Sequence, residues 1–433
     1  MAIGGGTFID QNRTLPGTYI NFVSAASASM ALSDRGYVAM AMPLPWGPCG
    51  EMMTVTGEDL VRRSRNLFGR EYTHPDLQPL RELFAGARVA YLFRLGAEGS
   101  RASCPLGTAL HPGSLGNQIT LIVTQVGAGF GVETLVDGQS IHHQTVESAA
   151  DLQDNAFVAF NREQTLTVTA GTTMQGGTDG TPTTDEYGNF LDASEAYSFH
   201  AMGCTSMNDV IKSMFLRHVR RMREDAGVKF QCVFHQYEEA DYEGAISVAN
   251  AVLDDGIAES ALVAWVTGMS AGCAVNRSLT NRRYNGELSI DTAQTKREIE
   301  QSLKAGNFIF HGSGGGARVV EDVNTLVTYT ADRSEDFSLN QIIRVLDQVA
   351  TDTAALFATR YLGIIPNDNA GRMSLWSDIV SHHRRLETIQ AIENFDPQDV
   401  TVEAGETKRS VVVTDRITPV AAMSQLYMTV VVQ

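Results

Sequence analysis

Several residue groups in this chain have types and spacings that could carry chemistry. Gly268-Met269-Ser270-Ala271-Gly272 matches G-x-S-x-G, the strand-to-helix turn that exposes a nucleophilic serine. His311-Gly312-Ser313-Gly314-Gly315-Gly316 has the make-up of an oxyanion loop, whose backbone N–H groups stabilise a tetrahedral intermediate. A serine hydrolase using Ser270 is therefore one reading. The order opposes it, because the oxyanion loop belongs upstream of the nucleophile and here lies downstream. Residues 261–267 also read at least as well as helix as they do as the strand the turn needs. The glycine run could instead cradle a phosphate, but no G-x-x-x-x-G-K-[ST] is present and Ala317-Arg318 follows it. A flexible joint between domains is the simpler expectation.

The histidine pairs His142-His143 and His382-His383 invite a metal. Sequence neighbours on a strand or helix point in different directions, so one ion is hard to chelate this way. No H-E-x-x-H or cysteine–histidine spacing accompanies them. Neither a metal nor a cofactor is expected. One dense basic face remains, with Arg217, His218, Arg220, Arg221 and Arg223 on a single helix. It reads either as a solvated face or as a contact for acidic surface on another subunit.

The elements that must position these residues follow from length and pattern. At 433 residues the chain exceeds one compact core, and about three domains are expected. Hydrophobic content of 43% with 19% charged is ordinary for globular protein. A net charge of −17 argues against nucleic acid as a partner. The five cysteines are odd in number and far apart, which fits a reducing cytoplasm. The first residues lack a signal-peptide pattern, and no apolar run is long enough to span a membrane.

Along the chain, residues 36–42 and 88–93 read as strands. Thr56 with Asp59 opens a helix that ends near Gly69, and a short helix follows Pro75. From about 94 to 185 glycine is frequent and short β-rich runs recur at 119–126, 130–136, 157–160 and 166–169, the pattern of a small sandwich. Helical spacing returns at 210–222, followed by a buried-type strand at 230–234. Helices are then expected at 244–253, 259–275, 339–361 and 374–394, with a strand near 411–414. Both ends read as apolar strands with no partner nearby in sequence. The last, 426–433, places Leu426, Met428, Val430 and Val432 on one face. Such edges are association hazards unless they are wanted, so they look built to pair with neighbouring subunits. The fold class is thus a multidomain α+β or α/β chain, with an α/β core, an inserted β-sandwich and extended terminal arms. The expected divisions are 1–22 (N-terminal arm), 23–93 (first part of the core), 94–185 (sandwich), 186–330 (α/β domain) and 331–433 (C-terminal α+β domain, ending in an arm at 423–433).

A set of non-catalytic motifs, in this order over nearly the whole chain, resembles one family. Leu15-Pro16-Gly17-Thr18-Tyr19-Ile20-Asn21 resembles the start of contractile tail sheath proteins of phages, phage-like particles or R-type bacteriocins of Gram-positive hosts. His111-Pro112-Gly113-Ser114-Leu115-Gly116-Asn117 looks like that family's opening of a sandwich domain, with Leu115 where an aromatic residue is common. Gly176-Gly177-Thr178-Asp179-Gly180 looks like the exit from it. Asp241-Tyr242-Glu243-Gly244, Trp265 with Gly268, the stretch 318–326 and Phe337-Ser338 leading into 340–347 continue the likeness.

The resemblance implies a structural protein, not an enzyme. Its partners would be further copies of itself in stacked hexameric rings, the tail tube inside them, and the baseplate and tail terminator at the ends. No nucleic-acid partner and no membrane insertion is implied. It would be made in the host bacterial cytoplasm and reside in the tail of a virion or phage-like particle. Each arm would add a strand to a neighbour's core sheet. The N-terminal arm strand would be Thr18, Tyr19, Ile20, Asn21 and Phe22, and the C-terminal one Leu426, Met428, Val430 and Val432. Hinges are expected at Gly4, Gly5, Gly6, Gly17 and Pro419. The family uses its C-terminal domain against the tube, so His382, His383, Arg384 and Arg385 are the candidate tube contact. Arg217, Arg220, Arg221 and Arg223 are the candidate intersubunit charge patch.

Overall fold

The computed structural model describes Gly4–Gly6, Gly17–Tyr19 and residues 32–432. The chain divides into two compact units, Asp34–Thr351 with Pro419–Gln433, and Met1–Ser33 with Asp352–Thr418. The division falls later than the boundary expected at 330. Residues just before it, Arg344 and Asp347, are held inside the larger unit by ion pairs to Asp322 and Arg223.

The larger unit is built on a seven-stranded sheet. In spatial order its strands are Asn307–Phe308, Ala245–Val248, Gln231–His235, Ala201–Cys204, Tyr37–Pro43, Val89–Leu95 and Met52–Thr56. Neighbours are parallel except Met52–Thr56, which runs antiparallel along one edge. A parallel sheet must be covered on both faces, and the strand residues divide accordingly. Val38, Met40 and Met42 enter one core, while Ala39 and Ala41 enter the other.

Among the described residues seven α-helices begin in this unit: α1 (Gly57–Phe68), α2 (Gln78–Phe84), α3 (Thr184–Ser194), α4 (Asp209–Glu224), α5 (Leu262–Gly272), α6 (Lys296–Lys304) and α7 (Asn340–Leu356). Leu60 and Phe68 of α1, Leu80 and Leu83 of α2 and nearly all of α5 fill the first core. Phe190 of α3 and Ile211, Phe215, Val219 and Met222 of α4 fill the second. Each such side chain contributes about 1.5–3 kcal/mol on burial. Helix α1 starts where expected, with Thr56 Oγ1 accepting from the Asp59 amide at 3.1 Å and Asp59 returning to the Thr56 amide at 3.2 Å. It ends at Gly69, whose φ of 67° suits glycine.

The helix expected at 244–253 is not formed. Ala245–Val248 is a strand lying between two others, and all four of its residues are buried. Ile246 and Val248 face one core and Ala245 the other, so the run shows no polar face to set its period. The glycine run 312–316 is also not a joint between domains. It is the tip of a hairpin in which Phe310–Gly312 pairs with Ala317–Val319, and Gly314 and Gly315 take the positive φ that the tip needs.

Between Val89–Leu95 and α3 lie two antiparallel sheets. One orders Gln139–Val146, Gly129–Val136, Ile119–Val126 and Thr169–Thr173; the other orders Val158–Phe160, Gly107–Ala109 and Ser103–Cys104. Ile119, Leu121, Val123, Val132, Val136, Val158 and Phe160 share one core, and Trp46 stacks on Phe157 there. Leu115 is 2% exposed and lies directly over Gly69, where an added Cβ would overlap its Cδ2.

The two chain crossings into and out of these sheets are tied together. Asn117 donates to the Gly177 carbonyl at 2.7 Å and accepts from its amide at 2.8 Å. Asp179 accepts from the Ser114 amide and hydroxyl at 2.9 and 2.6 Å. Buried Arg94 donates to the carbonyls of Leu44, Gly47 and Pro112, so one guanidinium joins three backbone segments. Beside it, burial together with Arg94 and Arg101 pushes the His111 imidazole down to about 4 from 6.5. In that interval the unfolded chain binds more protons, so the stability due to neutral His111 is present above pH 6.5 and is lost as pH falls toward 4. A His111→Gln variant should therefore lose less melting temperature across that interval than the parent. Parallel pH profiles would refute this assignment.

The smaller unit contains α8 (Asn369–Thr388) and a hairpin of Val400–Ala404 against Val411–Asp415. Its core is Leu356, Tyr361, Leu375, Ile379, Val380 and Val400.

Candidate functional site

The Gly268–Gly272 match lies wholly inside α5, so the strand-to-helix turn of a nucleophile elbow is not formed. Ser270 is 3% exposed and its hydroxyl makes no hydrogen bond among the described residues, none of which is placed as a base to activate it. The two glycines have a packing role. They stand four apart on one face of the helix, against the end of α2. A Cβ at Gly268 would overlap the Leu83 carbonyl oxygen, and one at Gly272 the Gly86 carbonyl oxygen.

The histidines of α8 are not a surface tip. His382 and His383 are both fully buried. His382 Nε2 lies 2.9 Å from Asp352 Oδ2, His383 Nε2 lies 2.7 Å from Asp415 Oδ2, and the two Nδ1 atoms are 3.2 Å apart. Their carboxylate partners draw both rings inward, which removes them from the candidate tube contact. Arg384 is exposed and Arg385 half-buried.

The basic face of α4 is likewise reduced. Arg223 is 5% exposed, with both terminal nitrogens on Asp347 at 2.7 and 2.8 Å and a further bond to the Phe230 carbonyl. It belongs to the interior, because α4 turns it toward the sheet at the spacing of Val219 and Met222. Arg221 pairs with Glu195, and Arg220 donates to the Ala240 carbonyl while covering the Tyr242 ring at 5.0 Å. Arg217 is exposed.

At the N terminus, Gly4–Gly6 pairs in parallel with Gly17–Tyr19, in the register Gly4↔Gly17, Gly5↔Thr18 and Gly6↔Tyr19. The expectation of a strand without a nearby partner is thereby corrected, and the glycines expected as hinges are ladder residues here. Ile20, Asn21 and Phe22 lie outside the described residues.

The C-terminal segment differs. Residues 420–432 form no ladder. Leu426, Met428, Val430 and Val432 are 85, 73, 71 and 90% exposed. The segment is anchored just after Pro419, where the side-chain amide of Gln341 donates to the Val420 carbonyl at 3.0 Å and accepts from the Ala422 amide at 2.9 Å. Gln341 stands in the first turns of α7 (Asn340–Leu356). Beyond these two bonds, Ser424 lies against the Glu321 carboxyl.

Behind this anchor is a buried polar network that sequence patterning did not single out as functional. Asn340 donates to Asp322 Oδ1 at 3.0 Å and to the Val323 carbonyl at 2.8 Å, and it accepts from Gln231 at 2.8 Å. Thr325 exchanges hydrogen bonds with the Tyr242 backbone, and Asn324 holds the Phe337 carbonyl. Its members lie in the stretches 241–244, 318–326 and 340–347 that carry the family likeness, where Asn, Asp and Thr are dense but nothing local gives them a role.

Comparison with known proteins places these features. Three family descriptions match the chain: tail sheath protein Gp18 domain III N-terminal region at residues 35–95, phage tail sheath protein central domain at 180–325, and phage tail sheath C-terminal domain at 332–433. The phage-like element PBSX protein XkdK of Bacillus subtilis is 31% identical over 99% of both chains. A solved sheath tail protein from Desulfitobacterium hafniense is 35% identical, with a TM-score of 0.83 over 93% of this chain and 96% of that one. The helical sheath of the anti-feeding prophage, solved in the contracted state, shares the fold at 14% identity and a TM-score of 0.56, over 96% of this chain and 99% of that one. Near-complete coverage at this identity, on a chain whose motif residues tie its segments together, shows that it belongs to the phage tail sheath protein family.

Proposed function

We propose that the chain is the repeating subunit of a contractile tail sheath, stacked as hexameric rings around the tail tube of a phage or headless bacteriocin-like particle. The observation that carries this reading is the C-terminal segment. Its alternate apolar side chains are more than two-thirds exposed, and residues 423–432 form no ladder among the described residues. A soluble subunit tolerates such a strand when another copy covers it. Added to a neighbour's sheet, five residues contribute several kcal/mol at roughly 1 kcal/mol net per hydrogen bond. The N-terminal ladder has two strands, and its outer edges allow the same pairing. Because donor and acceptor are different surfaces, the contact is head-to-tail and propagates into an open helix.

The baseplate releases the extended sheath, and the folded bodies repack while the arms keep them tethered, driving the tube through the target envelope. The fold shared with a contracted sheath supports this motion. Arg384 and Arg385 remain the candidate contact to the tube, now without the histidines. The subunit is a structural element without catalysis, cofactor, nucleic-acid partner or membrane insertion, made and assembled in the host cytoplasm.

Deletion of residues 423–433, or of 1–22, should leave a protein with native circular dichroism that forms no striated tubes in negative-stain microscopy. Normal tubes from either truncation would overturn strand exchange by that arm.

A further inference from the structure

Two clefts of the larger unit, about 720 and 570 Å³, border one segment, 281–286, and share Arg283, Tyr284 and Gly286. This segment adds to the glycine-tipped hairpin as a third strand. The Asn281 amide donates to the Val319 carbonyl, the Val319 amide to Arg282, and the Tyr284 amide to Ala317, at 2.9, 3.0 and 2.9 Å. The pairing sets Arg283 directly opposite Arg318. Like charges opposed on one face of a sheet repel, and the Arg318 guanidinium donates only to the Asn281 carbonyl, at 2.9 Å, among the bonds of the described residues. No Asp or Glu lines either cleft. Among the described residues Arg282, Arg283 and Arg318 form no ion pair, although the chain carries 50 acidic and 33 basic residues. Two carboxylates bordering this segment are already engaged. Glu287 holds Arg81, and Glu82 accepts from the Tyr284 hydroxyl at 2.7 Å. The Arg283 guanidinium lies across Gly316, where an added Cβ would stand 3.3 Å from its Nε. The hairpin glycine therefore makes room for it.

We propose that this arginine cleft is an intersubunit socket that takes the carboxylates of an acidic segment on a second copy of the chain. It rests on the reading of the protein as a self-assembling sheath subunit. A copy is the occupant because the protein is strongly acidic overall, and a polymer presents that acidity to its neighbours at high local concentration. Guanidinium forks bind carboxylates in two-pronged fashion, which lysine would not reproduce.

The test is Arg283→Glu with Arg318→Glu in the full chain. Arg283 is exposed and Arg318 half-buried, so the melting temperature should fall only by the loss of the Arg318 bond to the Asn281 carbonyl. The protein concentration needed for tube formation should rise at least about tenfold. Because the interface is head-to-tail, the variant still offers its acidic surface, and a minor fraction of it mixed into parent protein should shorten the tubes. Parent-like assembly of the double variant would overturn the socket while leaving the sheath reading intact. Normal sheath assembly with lost attachment to purified tail tube would overturn it too, by assigning the cleft to the tube. If the parent itself forms no tubes, the sheath reading fails first.

Discussion

Replacing Gly268 by alanine should cost about 3 kcal/mol or more, a large loss for one added methyl group. The reason is where the methyl would go. It meets the backbone carbonyl oxygen of Leu83, and Gly86 is held as tightly, since a Cβ there would stand 2.6 Å from the Gly268 carbonyl carbon. Side chains in a core can change rotamer to admit a methyl, which limits overpacking to about 1–3 kcal/mol. Two backbones in contact have no such freedom; α5 would have to move off α2, and α5 lies against the parallel sheet as the centre of the first core. The midpoint of urea unfolding would check this. Ser270→Ala is the matched control. Its hydroxyl is buried without a partner, so removal should be neutral or slightly stabilising. A tolerated Gly268→Ala together with a costly Ser270→Ala would reverse the assignment of these residues to packing.

Asp322→Ala should cost about 3–5 kcal/mol, because it strands a buried cation. Arg344 is 2% exposed, its ion pair is to Asp322, and its Nε and one terminal nitrogen already lack partners. The same carboxylate accepts from the Leu279 amide at 2.9 Å and from Asn340 at 3.0 Å, so two further donors would be orphaned. Adding Arg344→Met to the Asp322→Ala background should recover part of the loss, since the uncompensated charge is then removed. A double-mutant cycle in chemical denaturation measures this. Additive losses would mean that the pair is not coupled.

Local signals were read correctly where they were sufficient. The Thr56–Asp59 cap and the apolar stripe of α4 depend on residues three to seven apart, and both elements formed as expected. The strand at Ala245–Val248 was read as helix because its burial on two faces is set by neighbouring strands, not by its own sequence. Gln139–Val146 gives no strand signal because it is largely polar without alternation and lies partly exposed; its structure comes from its pairing with Gly129–Val136. The histidine pair was misplaced for a related reason. Asp352 and Asp415 lie 30 and 32 residues from the rings they hold, so nothing in the local pattern marks those rings as interior. Arg223 shows the same limit, with its carboxylate 124 residues away.

The Gln341 clamp also has a mechanical side. A pull along the C-terminal segment reaches the body of the protein first where Ser424 meets Glu321, and then at the Gln341 side chain, which holds Val420 and Ala422 by two hydrogen bonds. That side chain stands on α7, which is bolted three and six residues further along by Arg344–Asp322 and Asp347–Arg223. The weak joint is thus in series with a strong one. Under load the segment should peel from Gln341 and lengthen before α7 shifts, so the tether gives slack while the body it is attached to keeps its shape.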